Sequence, residues 1–413
     1  MLDGWLELQE QIKLRDHRKI GRELNLFMFS ELSPGSPFFY PEGTIIYNEL
    51  QKFLREEYIK RGFKEVISPN IYNKKLWEIS GHWENYRENA FAFDHEGQTF
   101  ALKPMNCPGH VLMFMSQTRS YRELPLRFAE FGVLHRNELS GTLTGLTRVI
   151  RLVQDDAHIF CEESQIMEVI RNQVEFAVFI LKDTFGFDFH VELSTRPDKF
   201  IGNIETWNKA EADLKKALED MELDYSINEG DGAFYGPKID IHAKDVLERS
   251  WQLSTIQLDF NMPARFEAVY EGRDGKKHNP VMVHRAMLGS MERFMGIFIE
   301  HFAGKFPVWL SPVQSIIIPV SDDHNAYGQS ISDKMNSEGF RVKLDDRTES
   351  VSYRVRDAQL KKIPYIIVVG QKEKEAGTVT VRTRENEIIG SFSVEEFSEK
   401  LKKKIDTRDI NIN

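Results

Sequence analysis

The sequence predicts an α/β (α+β) protein, with a large, mostly antiparallel sheet flanked by helices and a smaller C-terminal α/β domain with a mixed sheet. In the middle of the chain, β-rich stretches linked by turns alternate with helical ones. The proline-punctuated segment FPVWLSP then marks a boundary, and short β-branched runs separated by helical stretches follow it. We therefore expect a helical N-terminal linker over 1–24, a large domain over 25–308 and a small domain over 309–413.

The first long helix is predicted from Gly43, because Ile46, Leu50 and Tyr58 follow helical spacing until Gly62 ends the pattern. The strand-like FKEVISP comes next. Further strands are expected in QTFALKP, LPLRFAEFGVLHR, TRVIRLVQDDAHIF and STIQLDF, and a helix in SQIMEVIRNQVEFAVFILKDTF. A last helix of the large domain is predicted from near Ala286 to Gly304.

The composition is that of an ordinary globular chain, with 41% hydrophobic and 29% charged residues in 413. No apolar run is long enough to span a bilayer, and the start MLDGWLELQEQ does not resemble a signal peptide. Cys107 and Cys161 are too few for a disulfide framework. We expect a cytoplasmic protein, with a mature organellar form as the alternative. The net charge of -10 argues against a general nucleic-acid coat, and neither a membrane nor DNA is expected as a partner.

Two stretches carry arginines suited to a triphosphate. In FGVLHRNELSGTLTGLTRVIRLVQDDAHIF, Arg136 and Glu138 precede a glycine-rich turn, and Arg148 follows it on the returning strand. Two guanidinium groups that face each other across a hairpin can bind phosphate oxygens in pairs. In LGSMERFMGIF, Gly289 and Ser290 precede a helix that carries Arg293. The alternatives are cross-strand salt bridges on an exposed sheet and a helix with one solvated arginine.

These stretches, together with the helix and strand that end at Pro69, resemble the three signature motifs of class II aminoacyl-tRNA synthetases. The resemblance implies that the first motif builds a homodimer interface. It also implies that Arg136 stabilises the α-phosphate under attack, Arg148 holds the phosphate tail and Arg293 contacts the γ-phosphate, with Mg²⁺ bound to ATP.

Longer strings are similar to those of threonyl-tRNA synthetases over nearly the whole chain: KPMNCPGH, DDAHIF, VMVHRAMLGSMER, SGHWENY, LSTRPDK and EGDGAFYGPKID. This similarity implies a threonine-tRNA ligase, which activates threonine with ATP and transfers it to the 3'-terminal adenosine of tRNA(Thr). It further implies that Cys107, His158 and His284 bind one Zn²⁺ per subunit. From their spacing alone, a buried cysteine and two hydrogen-bonded histidines would be the better interpretation.

The same resemblance implies the remaining site residues. The catalytic set is Arg136, Arg293, Lys238 and His82. The threonine pocket is Met105, Arg136, Gln154, Asp156 and Tyr235. The ATP-binding set is Arg136, Glu138, Arg148, Leu152, Lys238, Gln252, Ser290 and Arg293. For His82, which would assist the terminal ribose of tRNA, the alternative is a surface histidine beside Trp83.

In the C-terminal domain, the resemblance implies anticodon binding near Glu373 and Arg382, since splayed bases are read by stacking and hydrogen bonds. Arg347, Arg354 and Arg356 are expected to face phosphate. Under this resemblance, 25–308 is the catalytic domain and 309–413 the anticodon-binding domain.

The match departs from the family at two positions near ATP. The family usually has Arg at Ile150 and Phe at Leu152, and the loss of stacking on adenine is worth about 0.5 to 1.5 kcal/mol. A catalytically weakened paralogue that acts as a tRNA- or threonine-binding regulator is therefore the alternative function. We also expect no editing domain in this chain, and misactivation of serine, because one missing methyl gives only about 1 to 3 kcal/mol of discrimination.

Overall fold

A computed structural model describes residues 2–412, and for residues 2–5, 7 and 8 it describes the helical backbone alone. The chain forms two compact units. The sheet unit comprises Phe29–Pro37 and Leu54–Ile297, and the terminal unit comprises Met1–Met28, Phe38–Phe53 and Phe298–Asn413. The domain limits at 24/25 and 308/309 stay predictions.

Fourteen α-helices lie within residues 2–412. In chain order they are α1 Leu2–Arg15, α2 His17–Glu23, α3 Pro41–Lys60, α4 Lys74–Ser80, α5 His82–Tyr86, α6 Cys107–Met115, α7 Ile166–Val178, α8 Ile204–Asp220, α9 Asn261–Arg265, α10 Met291–Phe302, α11 Asn325–Ser337, α12 Val351–Leu360, α13 Gln371–Ala376 and α14 Val394–Asp406. None of these helices is both long and apolar enough to cross a membrane.

Twenty-one strands lie in the same residues. They are β1 Phe27–Ser30, β2 Ser33–Phe39, β3 Lys64–Glu65, β4 Ile71–Asn73, β5 Ala92–His95, β6 Gln98–Leu102, β7 Arg119–Ser120, β8 Leu126–His135, β9 Arg151–Cys161, β10 Asp188–Ser194, β11 Tyr225–Asn228, β12 Lys238–Lys244, β13 Ser250–Asp259, β14 Tyr270–Glu271, β15 Lys277–His278, β16 Val281–Ala286, β17 Ser315–Pro319, β18 Val342–Leu344, β19 Tyr365–Val369, β20 Thr378–Thr383 and β21 Ile388–Ser393.

The sheet unit is built on an eight-stranded sheet in the order β11-β10-β12-β13-β16-β9-β8-β3. The five inner pairings, from β10-β12 to β9-β8, are antiparallel, whereas the two edge pairings are parallel. The prediction of a large, mostly antiparallel sheet is confirmed. β9 and β16 are buried along nearly their whole length, because both faces of the sheet are covered at its centre.

The helix α3 shows why the pattern after Gly43 is helical. Leu50, Leu54 and Tyr58 return at intervals of about one turn, and all three are buried. The helix stops before Gly62, which has a φ of +73°, and the amide of Phe63 donates to the carbonyl of Tyr58. The strand β3 that follows is shorter than the predicted strand.

The terminal unit contains a mixed five-stranded sheet in the order β18-β17-β19-β20-β21, as predicted. The strands β18, β17 and β19 are parallel, and β20 and β21 continue the sheet antiparallel. Buried aliphatic residues such as Ile317, Ile367 and Val381 form its core. The β-branched runs after Pro312 therefore are the strands of a small α/β sheet.

Two expectations about helices were inaccurate. The helix predicted from near Ala286 begins only at Met291, because Val281–Ala286 is the strand β16. Gly289, with a φ of +74°, and Ser290, whose hydroxyl accepts from the amide of Arg293, separate the two elements. The predicted N-terminal helix is two helices, with the Asp16 side chain capping the second.

Candidate active site

Three buried side chains from distant parts of the chain meet at the centre of the large sheet. Cys107 is the first residue of α6, and His158 and His284 are direct cross-strand partners on β9 and β16. One ligand atom from each lies within 4.8 Å of the others. Their exposed fractions are 2%, 1% and 4%. The structure thus brings together the three residues that the sequence resemblance selected.

Each histidine of this cluster, which we call the Cys-His-His cluster, is held by a further buried side chain. The Nδ1 atoms of His158 and His110 are 2.8 Å apart, and Nε2 of His110 lies 3.0 Å from the carboxylate of Glu130. Nε2 of His284 lies 3.1 Å from Asp259. One ring nitrogen of each histidine is therefore occupied, which leaves the other for a ligand.

The chain of contacts ends at a buried ion pair. Nζ of Lys103 lies 2.8 Å from Glu130, and the Ser68 hydroxyl and amide also donate to that carboxylate. Burial alone would raise the pKa of Glu130, but the hydrogen bonds from His110, Lys103 and Ser68 outweigh it and lower the pKa to about 2. Glu130 is thus a carboxylate at neutral pH that accepts from His110.

Burial controls the protonation of the cluster itself. It lowers the pKa of His158 well below the usual value, with help from the neighbouring His110 and His284, so this imidazole is neutral at pH 7. Burial and the carboxylates of Asp156 and Asp259 raise the pKa of the Cys107 thiol. A divalent cation would therefore have to displace the thiol proton, while the His158 imidazole is ready to ligate.

A cavity of about 420 Å³ opens beside the cluster. All five residues predicted for the threonine pocket line it: Met105, Arg136, Gln154, Asp156 and Tyr235. The Tyr235 hydroxyl donates to Gln257 at 2.9 Å. The Asp156 carboxylate accepts from the amide of Asn106 at 3.1 Å, and burial raises its pKa. The carboxylate and the three cluster residues face one small volume.

A second cavity of about 300 Å³ shares Arg136, Gln154, Gln252 and Thr255 with the first. It is lined by seven of the eight residues predicted to bind ATP: Arg136, Glu138, Arg148, Leu152, Gln252, Ser290 and Arg293. Lys238, the eighth, lines the first cavity instead. A Cβ built on Gly289 would lie 3.1 Å from the Leu253 carbonyl, so the cavity floor needs glycine there.

Backbone carbonyls hold two of the three arginines. Nε of Arg136 donates to the carbonyl of Pro104, and Nε of Arg293 donates to that of Gln252. Arg148, in contrast, pairs with Glu138 at 2.9 Å and lies in the segment before β9 rather than on the returning strand. Since carbonyls orient a guanidinium without neutralising it, Arg136 and Arg293 keep their positive charge for an anion.

Lys238 and Gln252 both contact the carboxylate of Asp240. Nζ of Lys238 lies 2.6 Å from Asp240 and 2.9 Å from Asp231, while the Gln252 amide donates to Asp240 at 2.6 Å. Burial would lower the pKa of Lys238, but the two carboxylates raise it above the usual value. Lys238 is therefore a fixed cation whose charge is already balanced within the protein.

His82 is buried, so the alternative of a surface histidine is wrong. Its Nδ1 lies 2.8 Å from the Ser80 hydroxyl, and its Nε2 lies 3.0 Å from the sulfur of Met105 and 3.9 Å from that of Cys107. Burial, with repulsion from His284 and Arg265, lowers the pKa of His82 to about 3. The ring is neutral at pH 7 and weakly basic, and its role in tRNA charging stays a prediction.

In the terminal unit, the two predicted anticodon residues lie at or beside β20, the strand next to the edge strand β21. Glu373 in α13 accepts from the Thr380 hydroxyl of β20 at 2.8 Å, and Arg382 lies on the same face of β20 as Thr380. Arg354, however, is buried and donates to the carbonyls of Asp345 and Pro319, so the expectation that it faces phosphate was wrong. Arg347 pairs with Asp345 and Asp357, whereas Arg356 is exposed.

Comparison with known proteins agrees with this geometry. Residues 89–302 match the tRNA synthetase class II core domain (G, H, P, S and T), and residues 314–404 match the anticodon binding domain. A crystal structure of the RNA binding domain of threonyl-tRNA synthetase from Cryptosporidium parvum Iowa II is 45% identical, with a TM-score of 0.91 over 94% of this chain and 98% of that one. The chain belongs to the threonyl-tRNA synthetase family.

Two curated members of the family show how much of a relative's own length this chain matches. The threonine-tRNA ligase of Caldanaerobacter subterraneus subsp. tengcongensis is 50% identical over 99% of this chain and 63% of its own length. The human threonine-tRNA ligase 2, cytoplasmic, is 53% identical over 100% of this chain and 51% of its own length. The chain thus spans between half and two thirds of these relatives, and the predicted fold class and family resemblance are confirmed.

Sequence reasoning missed several supporting residues of the site. The sequence patterns do not single out Lys103, Glu130 and Asp259. A signal for two of them was present, since Lys103 and Glu130 are charged residues inside the β-rich stretches QTFALKP and LPLRFAEFGVLHR. A charge in a buried strand usually has a partner, but the sequence does not say which one.

Proposed function

We propose that the chain is a threonine-tRNA ligase, which activates threonine with ATP and transfers it to the 3'-terminal adenosine of tRNA(Thr). One observation carries this proposal: the Cys-His-His cluster lies at the wall of a cavity that shares lining residues with an arginine-lined one. The first cavity, beside the cluster, fits an amino acid with a polar side chain, and the second fits a triphosphate. The names of the relatives support threonine as the amino acid.

The residues of the cluster fit one Zn²⁺. One thiolate and two imidazoles are a donor set that this ion prefers, and the contacts with His110 and Asp259 leave one nitrogen of each histidine free. When bound through three protein ligands, Zn²⁺ supplies open coordination positions, suited to the amino group and hydroxyl of threonine. Asp156 would accept a hydrogen bond from that hydroxyl, and the Tyr235 ring closes the pocket next to His284.

The arginines would orient ATP for attack by the threonine carboxylate. Arg136 lines both cavities and is therefore placed to neutralise the α-phosphate, between amino acid and nucleotide. Arg293 would bind the γ-phosphate and Arg148 the phosphate tail, with Mg²⁺ on the nucleotide. Because the reaction is a displacement at phosphorus, positioning and charge neutralisation account for most of the catalysis that side chains provide.

Two partners belong to the same proposal. The chain would form a homodimer through the region of α3, β3 and β4, where Ile59 and Ile67 are 76% and 90% exposed. The C-terminal sheet, with Glu373 and Arg382, would bind the anticodon of tRNA. The cytoplasmic localisation expected from the sequence stays a prediction.

The test is amino-acid-dependent exchange of pyrophosphate into ATP, combined with metal analysis of the purified chain. We expect one zinc per chain and exchange with threonine. Serine should react about 10- to 200-fold less efficiently, because it lacks only a methyl, and valine about 10⁴-fold less, because it cannot replace the hydroxyl. Absence of exchange with every amino acid, together with retained threonine or tRNA binding, would instead identify the regulator that Leu152 suggests.

A further inference from the structure

We propose a second metal site in the sheet unit, formed by His190, Glu192 and His242, for a borderline divalent cation such as Zn²⁺, Co²⁺ or Ni²⁺. One ligand atom from each of the three lies within 4.8 Å of the others. The three side chains are partly exposed, so a cation can reach them from solvent. None of them belongs to the Cys-His-His cluster or lines the two cavities described above.

The backbone fixes this arrangement. His190 and His242 are direct partners in the antiparallel pairing of β10 and β12, and Glu192 is two residues beyond His190 on β10. Since side chains alternate along a strand, all three project from the same face. The rings of the two histidines stack with their centroids 4.8 Å apart. Two adjacent strands thus present three donors side by side without any loop.

The distances suit a cation better than hydrogen bonds. Nε2 of His190 lies 3.4 Å from one oxygen of Glu192, and Nε2 of His242 lies 3.5 Å from the other. A hydrogen bond between nitrogen and carboxylate is about 2.7 to 3.2 Å long. Ligands about 2.0 to 2.1 Å from a tetrahedral zinc ion, by contrast, are separated by about 3.4 Å. Three protein donors would fill three of the four positions of such a shell and leave the fourth to solvent.

Neighbouring groups orient two of the three donors. The Ser250 hydroxyl lies 3.2 Å from Nδ1 of His242, and the side-chain amide of Asn228 donates to Glu192 at 2.9 Å. A cation between Nε2 of His242 and the Glu192 carboxylate would therefore meet a ring and a carboxylate whose orientations are already supported by neighbours.

The donor set also limits which cations bind and how tightly. Two imidazoles select zinc, cobalt, nickel or copper over magnesium and calcium, which prefer oxygen ligands. Nδ1 of His190 is buried and, in the described part of the chain, lacks a hydrogen-bond partner. Loss of one such supporting contact costs about 10- to 100-fold in affinity, so we expect this site to bind more weakly than the Cys-His-His cluster.

Cobalt titration of the metal-stripped, untagged full chain tests the proposal. A Co²⁺ bound through Cys107 has a thiolate charge-transfer band in the near ultraviolet, whereas one bound by His190, Glu192 and His242 has only visible d-d bands. We expect two Co²⁺ per chain, the weaker one without the thiolate band. His190→Gln and Glu192→Gln should each remove that weaker ion and leave the thiolate band unchanged.

The matched control is His95→Gln, which removes an exposed histidine 3.8 Å from Glu96. It should keep both cobalt ions, and Cys107→Ser should lose only the ion with the thiolate band. The proposal is overturned if the wild-type chain binds no cobalt without the thiolate band, or if the weaker ion survives both substitutions. Circular dichroism spectra and unfolding temperatures of the metal-free variants confirm that they fold. The result does not depend on whether the chain charges tRNA.

Discussion

The two cavities lie on the same sheet but are built differently. We call the one beside the Cys-His-His cluster the amino-acid end and the arginine-lined one the nucleotide end, after their proposed ligands. At the amino-acid end, Cys107, His158 and His284 are almost fully buried, and further buried side chains hold both histidines. At the nucleotide end, Arg136 and Arg293 are only partly buried and are held by backbone carbonyls. The first end has buried donors, with a supporting partner for each histidine, and the second has guanidinium groups whose positive charge is not neutralised by a carboxylate among the described residues.

This difference follows from the expected ligands. A metal ion requires donors placed within a few tenths of an ångström and in one protonation state, which a buried network provides. A triphosphate carries its own charge and binds several flexible side chains, so uncompensated guanidinium groups are sufficient. Substitutions at the two ends should therefore have different effects. Those at the nucleotide end should lower the catalytic rate, and those at the amino-acid end should lower metal affinity and the stability of the fold.

The largest effect is expected at the nucleotide end. Replacement of Arg293 by alanine should lower kcat for pyrophosphate exchange about 10²- to 10³-fold, because it removes a preorganised charge that stabilises the transition state. Zinc content should not change, since Arg293 does not contact the Cys-His-His cluster. Arg171→Ala, an exposed arginine on α7, is the control and should have wild-type kinetics. Loss of zinc from Arg293→Ala would contradict the separation of the two ends.

At the amino-acid end, Glu130 should make the fold sensitive to acid. Its pKa of about 2 lies below the ordinary value of 4.5, so it stabilises the folded state above pH 4.5 and loses this effect as the pH falls towards 2. The shift corresponds to about 3 kcal/mol in the free energy of unfolding. The measurement is urea unfolding of the metal-free wild-type chain and Glu130→Gln at several pH values. Their difference should shrink between pH 4.5 and 2.

The control for acid sensitivity is Glu175→Gln, which changes an exposed carboxylate on α7. Its difference from the wild-type chain should stay near zero over the same pH range. A difference for Glu130→Gln that is independent of pH would mean that the carboxylate does not keep a low pKa in the folded protein.

Glu130→Gln should also weaken metal binding, and this effect should be smaller than its effect on unfolding. Glu130 fixes the orientation and tautomer of His110, which in turn contacts His158, and loss of such support lowers metal affinity about 10- to 100-fold. Competition with a chromogenic chelator measures this for Glu130→Gln and for Glu175→Gln. If both variants hold zinc as tightly as the wild-type chain, the buried network supports folding only.

The smallest effect concerns Leu152, which lines the nucleotide cavity. Leu152→Phe should lower the KM for ATP roughly 2- to 13-fold, because stacking on adenine adds about 0.5 to 1.5 kcal/mol. Leu134→Phe is a matched control, since Leu134 packs in the same buried cluster but does not line that cavity. A higher KM for Leu152→Phe alone would show that the pocket is already full.

Much of the architecture could be predicted from patterns along the chain. The period of Leu50, Leu54 and Tyr58 indicates α3, and the β-branched runs after Pro312 indicate the C-terminal sheet. The last helix of the sheet unit was placed too early, because VMVHRA reads equally well as a buried strand or as the start of a helix. Only the pairing with β9 and β13 decides that it is a strand.

The site shows more clearly which information lies in the sequence and which only in the tertiary structure. The sequence by itself determined the residue types, namely a cysteine, histidines and arginines in stretches similar to those of one family. The tertiary structure decided which of them meet: the register that sets His158 opposite His284, and the burial that joins His110, Glu130 and Lys103. Side chains separated by more than a hundred residues converge only when strand pairing fixes their register and the interior excludes water from their contacts. That information is distributed over the whole core and is not contained in any one motif.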